Sequence, residues 1–181
     1  MKFFKHLFTV MKHRHLVRKY CFKCGLILQG LTHDLSKYSF TEFWTSVKYF
    51  QGNRSPTIAE RKDIGYSKIW MHHKGRNKHH FEYWTDYNDK ENRYVPILIP
   101  KKYLLEMFCD RIAASKVYLK KDYKDDSPLN YYLNKDKYGD IHPKTREELE
   151  FLLNMLASKG EKETFKYIKK NKKLSTFLKN Q

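Results

Sequence analysis

The chain has 181 residues, 37 basic against 20 acidic side chains and a net charge of +17. That length suits one domain with a core of its own and no need of disulfide staples. Three cysteines, an opening run broken by Lys2, Lys5 and His6, and no apolar stretch near the ~18 residues of a membrane span lead us to expect a cytoplasmic protein without a secretory leader or membrane contact.

The positive charge fits an anionic partner such as a phosphate ester, a nucleotide or a nucleic acid. A lysine-, asparagine- and tyrosine-rich coding bias accounts for it equally well. No long repeat is visible and Gly and Pro are scarce, so the pattern predicts an all-α chain, a single helical domain over 1–181 built as a bundle of about six to eight helices. In chain order the helices are expected over 5–24, a short one ending near His33, then 41–50 and 57–73. A polar loop is expected over 85–93, followed by an extended connector over 94–100 bracketed by prolines. Pro100 then opens a helix to about Leu119, with Leu104, Phe108, Ile112 and Leu119 as its apolar stripe. Pro143 opens another, with Leu149, Leu152, Leu153 and Leu156 at i, i+3, i+4, i+7 and Gly160 as its stop. The lysine-rich end over 161–181 reads as a docked amphipathic helix or a basic tail.

Nine histidines are present. Most cluster early: His13 and His15, then His33, then His72, His73, His79 and His80. Imidazole is the commonest transition-metal ligand, and this concentration in a small chain points to a metal site. The adjacent pair His33-Asp34 joins a neutral nitrogen to a carboxylate able to bridge two cations. Cys21 and Cys24, by contrast, lack a second pair and read as small core residues of a helix. Glu106, one turn before Asp110, reads either as a support for a ligand histidine or as a solvated charge.

The segment Gly30-Leu31-Thr32-His33-Asp34-Leu35-Ser36-Lys37 resembles the signature of the HD-domain superfamily, helical metal-dependent phosphohydrolases. Their ligands run as one histidine, then His-Asp, then further histidines, then a distal aspartate. Lys37 stands where the cyclic-dinucleotide phosphodiesterase branch has a lysine that meets substrate phosphate. His72-His73 followed by His79-His80, and Asp110 within the run from Phe108 to Ala114, resemble the later elements. The run from His73 to Trp84 is also similar to a small uncharacterised family of bacterial and phage proteins within or beside that superfamily. The likeness covers residues 15 to about 116, and the gap from His15 to His33 is shorter than usual.

The resemblance implies an HD-like bundle with its metal-binding core over about 13–120 and C-terminal helices over 143–181. It implies metal ligands His15, His33, Asp34, His73, His79, His80 and Asp110, with His13 about 200° away from His15 on the same helix. Asp34, Lys37, His79 and His80 are implied as the catalytic set, and Lys37, Arg76 and Asn77 as substrate contacts. The cofactor expected is a divalent transition metal, as two ions of iron, manganese, zinc or nickel. The reaction expected is hydrolysis of a phosphomonoester or diester. The resemblance also implies, as an alternative, a mixed-valent di-iron oxygenase of the same fold, and the net charge and lysine-rich end leave open a nucleic-acid or nucleotide binder.

Overall fold

The computed structural model describes residues 2–135, 140–171 and 176–177. Among these the chain is all-α: α1 (Lys2–Lys23), α2 (Ile27–Thr32), α3 (Phe40–Tyr49), α4 (Pro56–Ile64), α5 (Lys68–Lys74), α6 (Lys101–Leu119), α7 (Ser127–Lys135) and α8 (Pro143–Asn171). Short 3₁₀ turns lie at Leu35–Tyr38, Phe81–Tyr83 and Lys120–Asp122. One antiparallel hairpin, β1 (Thr85–Asn88) and β2 (Arg93–Pro96), accompanies the helices.

Several expectations need correcting. The helix expected over 57–73 is two helices. Gly65 ends α4 at φ 81°, a left-handed conformation open to glycine without steric cost. Ser67 then caps α5 by accepting the Trp70 N–H at 3.0 Å, while the buried Glu60 carboxylate accepts Ser67 Oγ–H at 2.5 Å and Ile69 N–H at 3.1 Å. That corner turns α5 back toward the rest of the bundle. The loop expected over 85–93 and the first part of the connector form the hairpin, in register Tyr87↔Tyr94. Its strands are short and largely exposed, so they carry no alternating apolar pattern. α7 lies between the helix ending at about Leu119 and the one opened by Pro143, where no helix was expected. Gly160 (φ 74°, ψ 173°) is non-helical and stops the first segment of α8 as expected; a second helical segment follows directly across the kink, through Phe165 and Ile168 to Asn171. Residues 172–175 and 178–181 of the lysine-rich end lie outside the described residues.

The core joins α1, α6, α7 and α8. Val17, Tyr20 and Cys21 of α1 meet Leu104, Phe108 and Ile112 of α6 and the row Leu149, Leu152, Leu153, Leu156 of α8. Burying each of these large side chains contributes about 1.5–3 kcal/mol. All three cysteines are free and buried, and Cys24 Sγ lies 3.8 Å from Cys109 Sγ, as expected of small core residues. α6 is the organising element. Its Leu104–Phe108–Ile112 stripe faces the core, and Glu106 and Asp110, spaced i, i+4 on another face, reach a polar cluster between α1, α2, α3 and α5.

Candidate metal centre

Asp34 lies at the middle of that cluster. It lies between His33, the C-cap of α2, and the turn at Leu35, is 1% exposed, and adopts a left-handed backbone (φ 53°, ψ 29°) that aspartate tolerates better than most residues. Its two oxygens face different sets of nitrogens. Oδ2 lies 3.3 Å from His13 Nε2 and 3.2 Å from His33 Nε2; Oδ1 lies 3.3 Å from His73 Nε2 and 3.5 Å from His79 Nε2. Asp110 Oδ1 completes the first set, 3.0 Å from His13 Nε2 and 3.5 Å from His33 Nε2. His80 joins the second.

These spacings fit a cation. Donors held about 2.0–2.1 Å from one metal stand about 3.4 Å apart in a tetrahedron and about 3.0 Å apart as neighbours in an octahedron. The contacts among His13, His33, Asp34 and Asp110 run from 3.0 to 3.5 Å, including 3.4 Å between the Nε2 atoms of His13 and His33. Buried Asp34 Oδ1, His79 Nε2 and His80 Nε2 make no hydrogen bond, while Asp34 Oδ2 is paired with the Lys37 ammonium. Three groups of side chains among the described residues can therefore hold a metal ion: His13, His33, Asp34, Asp110; Asp34, His73, His79, His80; and His33, His79, Glu106.

A second layer of carboxylates sets the imidazole tautomers. Glu106 Oε1 accepts from His33 Nδ1 at 2.8 Å and from His79 Nδ1 at 3.2 Å. Glu42, 1% exposed, accepts from His73 Nδ1 at 2.8 Å and His72 Nδ1 at 2.6 Å. A carboxylate can only accept, so each Nδ1 carries a proton, which leaves Nε2 of His33, His73 and His79, the atoms nearest Asp34, as the ones that would ligate a cation. Glu106 thus supports ligand histidines, the first of its two readings.

The electrostatics keep the carboxylates ionised. Burial pushes Asp34 and Asp110 upward, but His33, Lys37 and His73 around Asp34, and His13 and His33 around Asp110, hold both well below the ordinary carboxylate range. Burial likewise opposes charge on His33, where Asp34, Asp110 and Glu106 outweigh it and raise the imidazole well above its usual value. For His79 and His80 burial prevails, aided by neighbouring histidines, and both are lowered, which favours the neutral form that ligates.

His33, Asp34, His73, His79, His80 and Asp110 come together as the sequence order implied. His15 does not: it is exposed on α1 and contacts Arg18 at 3.2 Å, and His13 occupies the place assigned to it. The core side of α1 runs His6, Val10, His13, Val17, and a residue two positions beyond His13 is about 200° away. Arg76 is exposed, bonding the His72 carbonyl at 3.3 Å, and does not line the cavity. Asn77 is buried, and its Nδ2 donates to Ser36 Oγ and to the His73 carbonyl, each at 2.8 Å. Lys37 is placed as implied, 2.5 Å from Asp34 Oδ2 on the cavity wall, where Asp34 and Asp110 outweigh burial and raise its pKa.

Sequence reasoning missed Glu42, Arg14 and the basic wall of the cavity. Ser39 and Glu42 have the spacing of a capping box, and Ser39 Oγ does accept the Glu42 N–H at 3.3 Å, but the Glu42 carboxylate turns to the histidines. Arg14 donates to the His33 and Leu31 carbonyls at 2.8 and 3.1 Å, tying α1 to the end of α2. The cavity beside the cluster measures about 480 Å³ and is also lined by Arg54, Arg61 and Arg111.

A family model described as a family of unknown function, DUF5662, matches residues 2–155. The chain belongs to the DUF5662 family. No curated protein and no solved structure matches this DUF5662 chain. The matched region contains every residue of the centre, from His13 to Asp110.

Proposed function

We propose that the chain is a metal-dependent phosphohydrolase of HD-domain type, acting on a nucleotide or other phosphate ester in the cytoplasm. The observation that carries the reading is the division of Asp34: Oδ2 belongs with His13, His33 and Asp110, and Oδ1 with His73, His79 and His80. One carboxylate placed in that way could serve two cations, with His13, His33 and Asp110 holding one and His73, His79 and His80 the other. Mixed imidazole and carboxylate donors suit iron, manganese, zinc or nickel better than calcium. Ions held there would supply a water of lowered pKa and charge neutralisation for phosphoryl oxygens.

The chain's own residues support the same substrate class. The Lys37 ammonium gives one hydrogen to Asp34 and has two more for a phosphoryl oxygen in the cavity. Arg54, Arg61 and Arg111 line the same space, and guanidinium pairs well with phosphate. The cavity volume falls within the ~300–1,000 Å³ of small-molecule sites.

Metal analysis of protein purified without chelators, with a phosphate-release screen over nucleotides and simple esters, tests the proposal. Bound transition metal and phosphate release abolished in His33→Ala are expected. Protein without transition metal, or activity unchanged in His33→Ala, refutes it. Two irons with O₂ consumption and no phosphate release assign the centre to oxygenation instead.

A further inference from the structure

The first three helices carry an apolar face that the folded chain leaves uncovered. On α1, Phe4, Phe8 and Met11 fall at i, i+4, i+7, nearly opposite the core-facing His6, Val10, His13 and Val17. Phe8 is 63% exposed. Aromatic rings continue the face onto α3: Phe3 stands 5.1 Å from Phe4 and 5.5 Å from Trp44, which lies 6.4 Å from Phe40, itself 80% exposed. α2, tied to α1 where Arg14 bonds the Leu31 carbonyl, also exposes Leu28 (72%) and Leu31. Single exposed apolar residues are ordinary, but an apolar face connected across α1 and α3, with further exposed leucines on α2, marks a binding surface.

Charge selects the occupant. Residues 2–49 contain nine lysines and arginines against two acids, Asp34 and Glu42, and both acids are buried in the metal centre. The exposed surface of these helices therefore carries no acidic side chain. Lys5, Lys12 and Lys19 recur every seven residues and form a row beside the apolar stripe of α1. A second copy docking by this face would bring like-charged helices together, in a chain of net charge +17. A nucleic-acid backbone would satisfy the lysines but leave the phenylalanine, leucine and methionine carbons in water. An anionic bilayer meets both: its boundary layer takes the apolar side chains, and its headgroup phosphates take the lysines, whose stems reach along apolar surface.

We infer that this face docks peripherally on an anionic lipid bilayer. Such docking departs from the sequence-based expectation of no membrane contact, and it stands independently of the reaction proposed for the metal centre. No helix among the described residues is long and apolar enough to cross a membrane, so the contact is at the surface.

Flotation of the full chain with vesicles of phosphatidylcholine alone, and with about 30 mol% phosphatidylglycerol added, tests it at near-physiological salt. Retention by the anionic vesicles only is expected. The double variants F4S/F8S and K5E/K12E are each expected to weaken retention more than tenfold, with circular dichroism and metal content unchanged. Tryptophan emission of the unmodified chain should shift to the blue on anionic vesicles, and the shift should be lost in Trp44→Phe, a readout that needs no change to α1. Absence of retention by anionic vesicles overturns the inference. So does retention that F4S/F8S leaves intact, which would be charge attraction alone. A concentration-dependent dimer abolished by F4S/F8S would give the face to a second copy, and is equally refuting.

Discussion

Replacing His13 and His15 separately by alanine gives opposite results if the core-facing side of α1 supplies the ligand. His13 Nε2 lies 3.0 Å from Asp110 and 3.3 Å from Asp34, so His13→Ala removes one of four donors from the first group. Loss of a residue that merely orients a ligand costs about 10–100-fold in metal affinity. Loss of a donor should reach at least the upper end of that range, about 2.7 kcal/mol at 1.36 kcal/mol per tenfold. The apo protein should also change, because a buried ring is deleted and two carboxylates lose a partner, a cost of about 1–3 kcal/mol. His15 is exposed with only Arg18 beside it, so His15→Ala should stay within about 0.5 kcal/mol of the parent and bind metal normally. Calorimetric titration of metal into chelator-stripped protein, with melting curves with and without metal, reads both effects. Metal loss in His15→Ala with retention in His13→Ala would refute the assignment.

The remaining tests address the same centre and its surroundings. Glu106→Gln should weaken metal binding at both groups by about 10–100-fold, because Glu106 holds His33 and His79, whereas Glu42→Gln should weaken only the group containing His73; a two-site titration distinguishes them. Asp34→Asn should fold, since asparagine tolerates the left-handed backbone, yet lose both metals as read by elemental analysis. His6, lowered to about 4 first by burial and then by Lys37, binds a proton in the unfolded chain before it does in the folded one. Its contribution is therefore complete above pH 6.5 and is lost as pH falls from 6.5 toward 4. The full shift corresponds to about 3 kcal/mol, reduced to about 1–2 kcal/mol by screening because the ring borders the open cavity. Urea denaturation at pH 7.5 and 4.5 should show the parent losing that much more stability than His6→Leu, and equal losses would contradict it.

Much of the bundle was legible because its helices announce themselves through apolar spacing and proline punctuation, as in α6 and the leucine row of α8. The breaks were harder. Gly65 and Ser67 divide a segment whose composition is helical throughout, and the hairpin hides in polar, exposed strands. In the centre, the ligand order implied by the HD-domain resemblance named His33, Asp34, His73, His79, His80 and Asp110, side chains that the fold brings together. Choosing between His13 and His15 required the phase of α1, and the deciding signal was present: Val10 and Val17 flank His13 at −3 and +4, whereas His15 keeps step with exposed Phe8 and Met11. Glu42 gave no such signal. An acid three residues after Ser39 reads as a helix cap, and only the tertiary arrangement places it against His72 and His73.

Backbone conformation explains how adjacent residues serve one centre. Neighbours on an α-helix diverge by about 100°, so a helical pair cannot converge on one point. His72 and His73 lie within α5 and do diverge, with His73 Nε2 reaching Asp34 and His72 meeting only the far oxygen of Glu42. His33 and Asp34 escape the constraint because α2 ends at Thr32; His33 is extended (ψ 128°) and Asp34 left-handed, so both side chains turn inward. His79 and His80 escape it in the bend after α5, where His80 is extended (φ −89°, ψ 130°). The left-handed Asp34 backbone costs about 1 kcal/mol. That strain is local to the one residue shared by both cation groups, which is where backbone strain has a functional reading. Asp34→Ala should therefore be destabilised by its backbone as well as by its missing charge, and the difference in stability between it and Asp34→Asn isolates the backbone contribution.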